Sequence, residues 1–166
     1  MPSTAHLKFT TQISAPPEAV FDLVADMPNY GRWLPDSSAF GGTVNVTPYP
    51  VQLGTTYLDT KPIEKPGEVT EFDRPRRIAF HHTVMIRSPI KLDVDARIRY
   101  TLAADQGGTA VVRELDLGWE LRGPLKLLTP FLLVGFRKEN LRTLACLKRY
   151  AEAQRKDVRP TGTAGT

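Results

Sequence analysis

Cysteine is nearly absent from this chain: Cys146 stands alone among 166 residues. One thiol cannot form an internal disulfide, so a reducing, cytoplasmic setting is the expectation. Cys146 lies mid-helix with no motif around it and reads as packing. Histidine is scarce too, at three residues. His81 and His82 are adjacent, so on a strand they point to opposite faces and cannot chelate together. A metal site needs three or four converging ligands, and none is expected here. A glycine-rich phosphate loop and a nucleophile elbow are also missing, and no cofactor is expected. The longest apolar run, Phe131 to Phe136, is far too short to span a bilayer. The N-terminus, Met1 to His6, has no basic stretch followed by an apolar one, so no signal peptide is read there.

What the chain does carry is unevenly placed charge. Residues 1–120 hold 12 Lys/Arg against 15 Asp/Glu, whereas residues 121–166 hold 10 against 3. The basic character therefore belongs to the last helix and tail. It reads either as a solvated helix face or as a surface that meets an anionic partner. No aromatic-interleaved basic patch is present, so nucleic acid is not the expected partner.

Period-two patterning dominates the first two-thirds. Leu7, Phe9, Thr11 and Ile13 alternate with polar residues, as a half-buried strand does. Ala15-Pro16-Pro17-Glu18 then opens a helix. Proline suits a first turn, where its missing N–H has no partner, and Glu18 complements the positive end of the helix dipole. Val20, Phe21 and Val24 give that helix one apolar face. A second short helix is expected to stop at Pro35. Strands are expected at 38–46, 54–61 and 68–72, the last preceded by a turn at Pro66-Gly67. Ile78, Phe80, His82 and Val84 share one face of the next strand, and Ser88-Pro89 breaks it. Ile90 to Leu102 alternates almost without exception. Gln106-Gly107-Gly108 closes a hairpin, and Val111, Arg113, Leu115, Leu117 and Trp119 return as inward residues. Outward Glu114, Asp116 and Glu120 oppose Arg97 and Arg99 in sign, which suits an antiparallel pair with a wet outer face.

After Gly123-Pro124 the pattern changes to a period near 3.6. Pro130 predicts a short helix at 124–129 followed by a kink or restart. Leu133, Phe136, Asn140, Leu144, Leu147 and Ala151 then recur at spacings of three and four, with Lys138, Arg142 and Arg149 opposite. Leu127, Leu128, Phe131, Leu132 and Val134 crowd the start, and not all can face inward from one helix. They line a cavity entrance, form a dimer contact, or dip into an anionic bilayer beside Lys126, Arg137 and Lys138. The candidate peripheral membrane contact spans 124–138, and monomer and homodimer both stay open.

Two segments also resemble a known family. Ala15-Pro16-Pro17-Glu18-Ala19-Val20-Phe21-Asp22-Leu23-Val24-Ala25-Asp26, followed by Asn29-Tyr30-Gly31-Arg32-Trp33-Leu34-Pro35, is similar to the opening of the START-like (SRPBCC) superfamily. That superfamily includes the polyketide cyclase/dehydrase and lipid-transport group. Further matches are Gly54, Val69 to Phe80, Gly107-Gly108-Thr109 and Leu144 to Glu152. The resemblance implies an α+β helix-grip fold, with about seven antiparallel strands wrapped around a long C-terminal helix and a deep apolar cavity. Family members bind lipids, sterols, polyketides, quinones or plant hormones; some are cyclases, many are carriers and some bind proteins. No universal catalytic residues come with it.

The resulting expectation is a flexible stretch at 1–5, a ligand-binding domain at 6–154 and a disordered tail at 155–166. The domain binds a small hydrophobic ligand as carrier or sensor. The alternatives are a cyclase/dehydratase-type enzyme and a protein-binding module. The expected cavity wall is Phe80, His82, Ile98, Tyr100, Arg113, Leu115, Leu117, Phe136, Asn140 and Leu144. His82 and Arg113 are the catalytic candidates if it is an enzyme. A buried arginine needs an anionic partner, for which Glu71, Asp59 and a ligand carboxylate qualify. Tyr57 and Tyr100 are weaker candidates, and Trp33 is expected in the core or at the cavity mouth.

Overall fold

The computed structural model describes residues 3–86, 92–121 and 123–158. The expected break at Ser88-Pro89, the strand start at Ile90 and the tail from 159 lie outside them. Seven strands form one sheet: β1 Ser3–Ile13, β2 Thr43–Thr47, β3 Thr56–Asp59, β4 Lys65–Asp73, β5 Arg77–Ile86, β6 Leu92–Asp105 and β7 Gly108–Glu120. Their order is β1-β7-β6-β5-β4-β3-β2, and every neighbouring pair is antiparallel. Consecutive strands pair because short turns join them; β1 alone crosses to the far edge, beside β7. The turn between β6 and β7 is Gln106-Gly107, with φ of 47° and 76°. That left-handed pair matches the twist of the flanking strands.

Helix α1, Pro17–Ala25, and a 3₁₀ helix, Met27–Arg32, follow β1; a second 3₁₀ helix, Gly123–Leu128, leads into α2, Thr129–Val158. Pro130 falls in the first turn of α2, so it starts the helix instead of kinking it. Val20, Phe21 and Val24 of α1 are fully buried, and so is Leu147 of α2. This is the helix-grip fold, a curved antiparallel sheet with its long C-terminal helix packed on the inner face.

Several boundaries differ from the sequence reading for local reasons. β1 begins at Ser3, so residues 3–5 belong to the sheet and pair with Trp119, Gly118 and Leu117. β2 begins only at Thr43, because the Ser37 hydroxyl accepts the backbone N–H groups of Ala39 and Phe40 and holds a bend there. β3 is short, since Gly54 turns the chain with φ +80° just before it. The expected turn at Pro66-Gly67 is instead strand, inside β4. α2 continues to Val158, and Arg155 bonds the carbonyls of Ser14 and Gly107.

The outer face also pairs differently. The register sets Arg97 opposite Asp116 and Arg99 opposite Glu114. The ion pairs instead run from Arg99 to Glu71 at 3.1 Å and from Arg97 to Asp95 at 3.6 Å. Asp116 accepts from His6 at 2.7 Å. β4 supplies the nearer partner of Arg99 and β1 that of Asp116, which a two-strand view omits, while Arg97 turns to Asp95 on its own strand.

Two apolar clusters fill the inner face. The larger joins α1, Trp33, Tyr57, Ile78, Phe80, Tyr100, Leu144 and Leu147; the smaller joins Leu92, Leu115, Leu117 and Trp119 with half-buried Leu132, Leu133 and Phe136. Cys146 is a half-buried free thiol packed on the larger cluster. Among the described residues no helix is long and apolar enough to cross a membrane.

Candidate functional site

The candidate site grows out of strand parity. β5, β6 and β7 pair without a register break, so every second residue faces α2. Tyr100 on β6 stands opposite Ile78 and Arg113, and Ile98 opposite Phe80 and Leu115. The register irregularity in this part of the sheet falls on β4, between Val69 and Glu71. It therefore leaves the parity of His82 and Arg113 intact. Both are buried, at 6% and 9% exposure.

Arg113 carries its guanidinium into an apolar wall. It lies 4.7 Å from the centre of the Tyr100 ring, over its negative face. Its Nε donates to Asn140 Oδ1 at 2.6 Å. Asn140 in turn donates from Nδ2 to the Phe136 carbonyl at 2.7 Å. Both ends of the amide are thus engaged, and Asn140 positions Arg113 across the gap between sheet and helix. Among the described residues no carboxylate reaches ion-pair distance of Arg113. Glu71, one expected partner, is on the outer face with Arg77 and Arg99. Asp59, the other, contributes only at longer range, as do Tyr30, Glu139 and Tyr57. Burial lowers the Arg113 pKa to about 10, and these groups partly offset it. The side chain stays a cation at neutral pH, in surroundings that solvate a cation poorly.

His82 forms the second half of the site. Its Nε2 is hydrogen-bonded to the Tyr57 hydroxyl at 2.9 Å. Its Nδ1 is buried and has no hydrogen-bond partner among the described residues. Burial, with the charges of Lys65, His81 and Arg113, lowers the His82 pKa to about 4. Asp59 Oδ2 is 3.9 Å from Nε2. Burial also raises the Asp59 carboxyl, against the Thr43 hydroxyl that donates to it at 2.5 Å. A carboxyl drawn toward its neutral form does little to hold a proton on His82.

Gly67 makes this arrangement fit. A Cβ there would run into the Tyr57 ring. The ring lies across β4, 5.3 Å from His82 and 6.1 Å from Phe80 by centroids, and edge-on to both.

The expected wall residues thus divide. Phe80, His82, Tyr100, Arg113, Asn140 and Leu144 converge on the larger cluster and its polar centre. Leu115 and Leu117 are buried in the smaller cluster, where Phe136 is half-buried; half-buried Ile98 packs against both. Trp33 is buried and donates from Nε1 to the Leu23 carbonyl at 3.2 Å. Tyr30, whose hydroxyl donates to the Val24 carbonyl at 2.5 Å, and Glu139 were not singled out by sequence. Burial alone would raise Glu139, but Arg142 and Ser37 outweigh it and lower its pKa. That Tyr57 and Asp59 approach His82 from one side was legible in principle: two residues apart on a strand, they share a face.

Two hollows lie at the surface. One, of about 280 Å³, is lined by Leu23, Asp26, Trp33 and Tyr150 among others. The other, of about 450 Å³, is on the outer sheet face around His6, Arg97 and Asp116. Neither is lined by Arg113, His82 or Asn140. The rings that frame the candidate site are in contact with one another.

A family model described as polyketide cyclase / dehydrase and lipid transport matches residues 4–152. The chain belongs to this family. Solved structures share the chain's fold at low identity. The di-domain ARO/CYC protein BexL of the BE-7585A biosynthetic pathway superposes with a TM-score of 0.70 at 18% identity. That match covers 95% of this chain and 51% of BexL. An uncharacterized Rhizobium leguminosarum protein gives 0.67 at 13%, covering 92% and 97%. Ara h 8.0201 gives 0.65 at 12%, covering 91% and 99%. No curated protein matches the chain.

Proposed function

We propose that this domain binds a small, mostly apolar molecule between the sheet and α2, as a carrier or sensor, and that Arg113 meets an oxygen-bearing group of that molecule. The observation that carries the reading is a buried guanidinium held in place by Asn140 and Tyr100 with no carboxylate in ion-pair contact among the described residues. Desolvating a cation is costly unless something compensates it. A ligand carboxylate, phenolate or polarised carbonyl supplies that compensation, while the aromatic wall buries the rest of the ligand at about 25 cal/mol per Å². Family membership in a cyclase and lipid-transport group, and a fold shared with BexL, support the same ligand class.

A second reading, a cyclase- or dehydratase-type enzyme, is favoured by the Tyr57–His82 pair. A histidine kept neutral is a base and not an acid, and Arg113 nearby could stabilise an enolate as a proton leaves carbon. Mass spectrometry of small molecules released from the purified protein tests both readings. Arg113→Met should keep the fold and weaken the captured ligand about 10- to 100-fold, the worth of a hydrogen bond to a charged group. Failure to capture any ligand, together with no binding across a panel of aromatic and fatty carboxylates, overturns the proposal. Ligand returned unchanged supports the carrier; ligand returned cyclised or dehydrated supports the enzyme.

A further inference from the structure

We infer that the entry to α2 is a membrane-docking surface selective for anionic lipid. Leu127, Phe131 and Val134 are 78%, 76% and 66% exposed, large values for side chains so apolar. They are close in sequence, at spacings of four and three, and Phe131 and Val134 share one face of α2. Their neighbours Leu132, Leu133 and Phe136 already take the inward side, packed on the smaller cluster. Leu127, Phe131 and Val134 therefore do not line the interior. Isolated exposed apolar residues are ordinary, but a contiguous set rimmed by charge marks a contact surface.

The charge chooses the partner. Lys126 and Lys138 are exposed beside these residues, with Lys138 continuing the face of Phe131 and Val134, and exposed Arg137 flanks them with its guanidinium 6.0 Å from the centre of the Phe9 ring on β1. Glu139 is turned away, bonded to Arg142 at 2.6 Å and to Ser37 at 3.1 Å. A two-fold contact with a second copy would bring this basic rim against itself. A nucleic acid would use the bases and leave the apolar residues idle. An anionic bilayer uses both, taking the apolar side chains into the headgroup boundary while the cations meet phosphate and carboxylate groups.

This surface does not depend on the proposed ligand site, and its test needs no ligand. The full chain is sedimented with phosphatidylcholine vesicles, with and without phosphatidylserine, at low and physiological salt. The protein should pellet with the serine lipid at low salt, and less as salt screens the contact. The Leu127→Ser, Phe131→Ser, Val134→Ser variant should partition at least tenfold more weakly onto either membrane. The Lys126→Gln, Arg137→Gln, Lys138→Gln variant should lose about 100-fold on the anionic membrane, at roughly fivefold per basic side chain. Both variants should melt close to the native protein, because all six side chains are exposed and the reach of Arg137 over Phe9, at 6.0 Å, is a weak contact. No pelleting of native protein with anionic vesicles at low salt overturns the inference. So does equal binding by the apolar variant, or a native dimer that the apolar variant converts to monomer.

Discussion

The two halves of α2 belong to one continuous helix, yet they meet the sheet on different terms. From Asn140 onward, Thr143, Leu144, Leu147 and Ala151 are buried. They share their cluster with β1, α1, the first 3₁₀ helix and the inner residues of five strands. Before Asn140, Leu132, Leu133 and Phe136 are only half-buried, over a smaller cluster built from β6, β7, the second 3₁₀ helix and the end of β1. The smaller cluster also holds a buried indole N–H, that of Trp119 on β7, with no acceptor among the described residues. The difference is one of layers. α1 closes the far end as a third body, and among the described residues nothing equivalent closes the near end. Burial by two layers leaves leucines half-exposed where burial by three completes the core.

Side-chain truncation should separate the halves most widely. Phe21→Ala, at the α1 end, should lower unfolding stability by about 3–5 kcal/mol, whereas Leu133→Ala should cost about 1–2 kcal/mol, because its side chain is half-exposed already. Urea unfolding of both variants measures this. Equal losses would mean that the near end is as fully packed as the far end.

Acid should act at His82, which stands in register with Ala96 and Leu117 between the two ends. Its folded pKa, about 4, is below the ordinary 6.5. Between those values the unfolded chain takes up a proton that the folded chain refuses, so stability falls as pH drops from 6.5 toward 4 and levels off below. The full loss is about 3 kcal/mol. Asp59 works in the opposite direction: its raised pKa means that the folded form keeps a proton to higher pH than the unfolded chain. Denaturant unfolding across this window, in native protein and His82→Gln, isolates the histidine. The variant should lose most of the slope, and an unchanged slope would show that His82 is not the group responsible.

The smallest expected effect is at the junction of the halves. Asn140→Ala removes the acceptor of Arg113 Nε and should cost about 1–3 kcal/mol. Asn140→Asp keeps an acceptor and adds the missing negative charge, so it should recover most of that loss. If Asn140→Asp is no better than alanine, Arg113 is compensated by other groups.

Much of this was legible in the sequence, and what was not has identifiable causes. Alternation at Ile78 to Val84, from Ile90 to Leu102 and from Val111 to Trp119 placed His82, Tyr100 and Arg113 on the inner face, and pairing across β5, β6 and β7 has no bulge to reverse it. Pro66-Gly67 misled because its glycine serves a close approach and not a turn; the evidence for that is a ring 10 residues earlier in the chain, at Tyr57. The outer ion pairs were assigned to the wrong strands because charge alternation on β6 and β7 carries no information about β1 or β4. For Leu127, Phe131 and Val134 the period showed only that one helix could not bury them all.

By itself, then, the sequence determined the kinds and order of elements, the antiparallel sheet, the inward faces and the opening motif that identifies the family, since these depend on local spacing and backbone chemistry. Only the tertiary structure decided which groups meet. It joined Arg113 to Asn140, His82 to Tyr57 and Glu71 to Arg99, and it left the start of α2 with an uncovered apolar face. Those outcomes depend on distances between residues far apart in the chain, which are set by how sheet and helices pack and not by any periodicity within one segment.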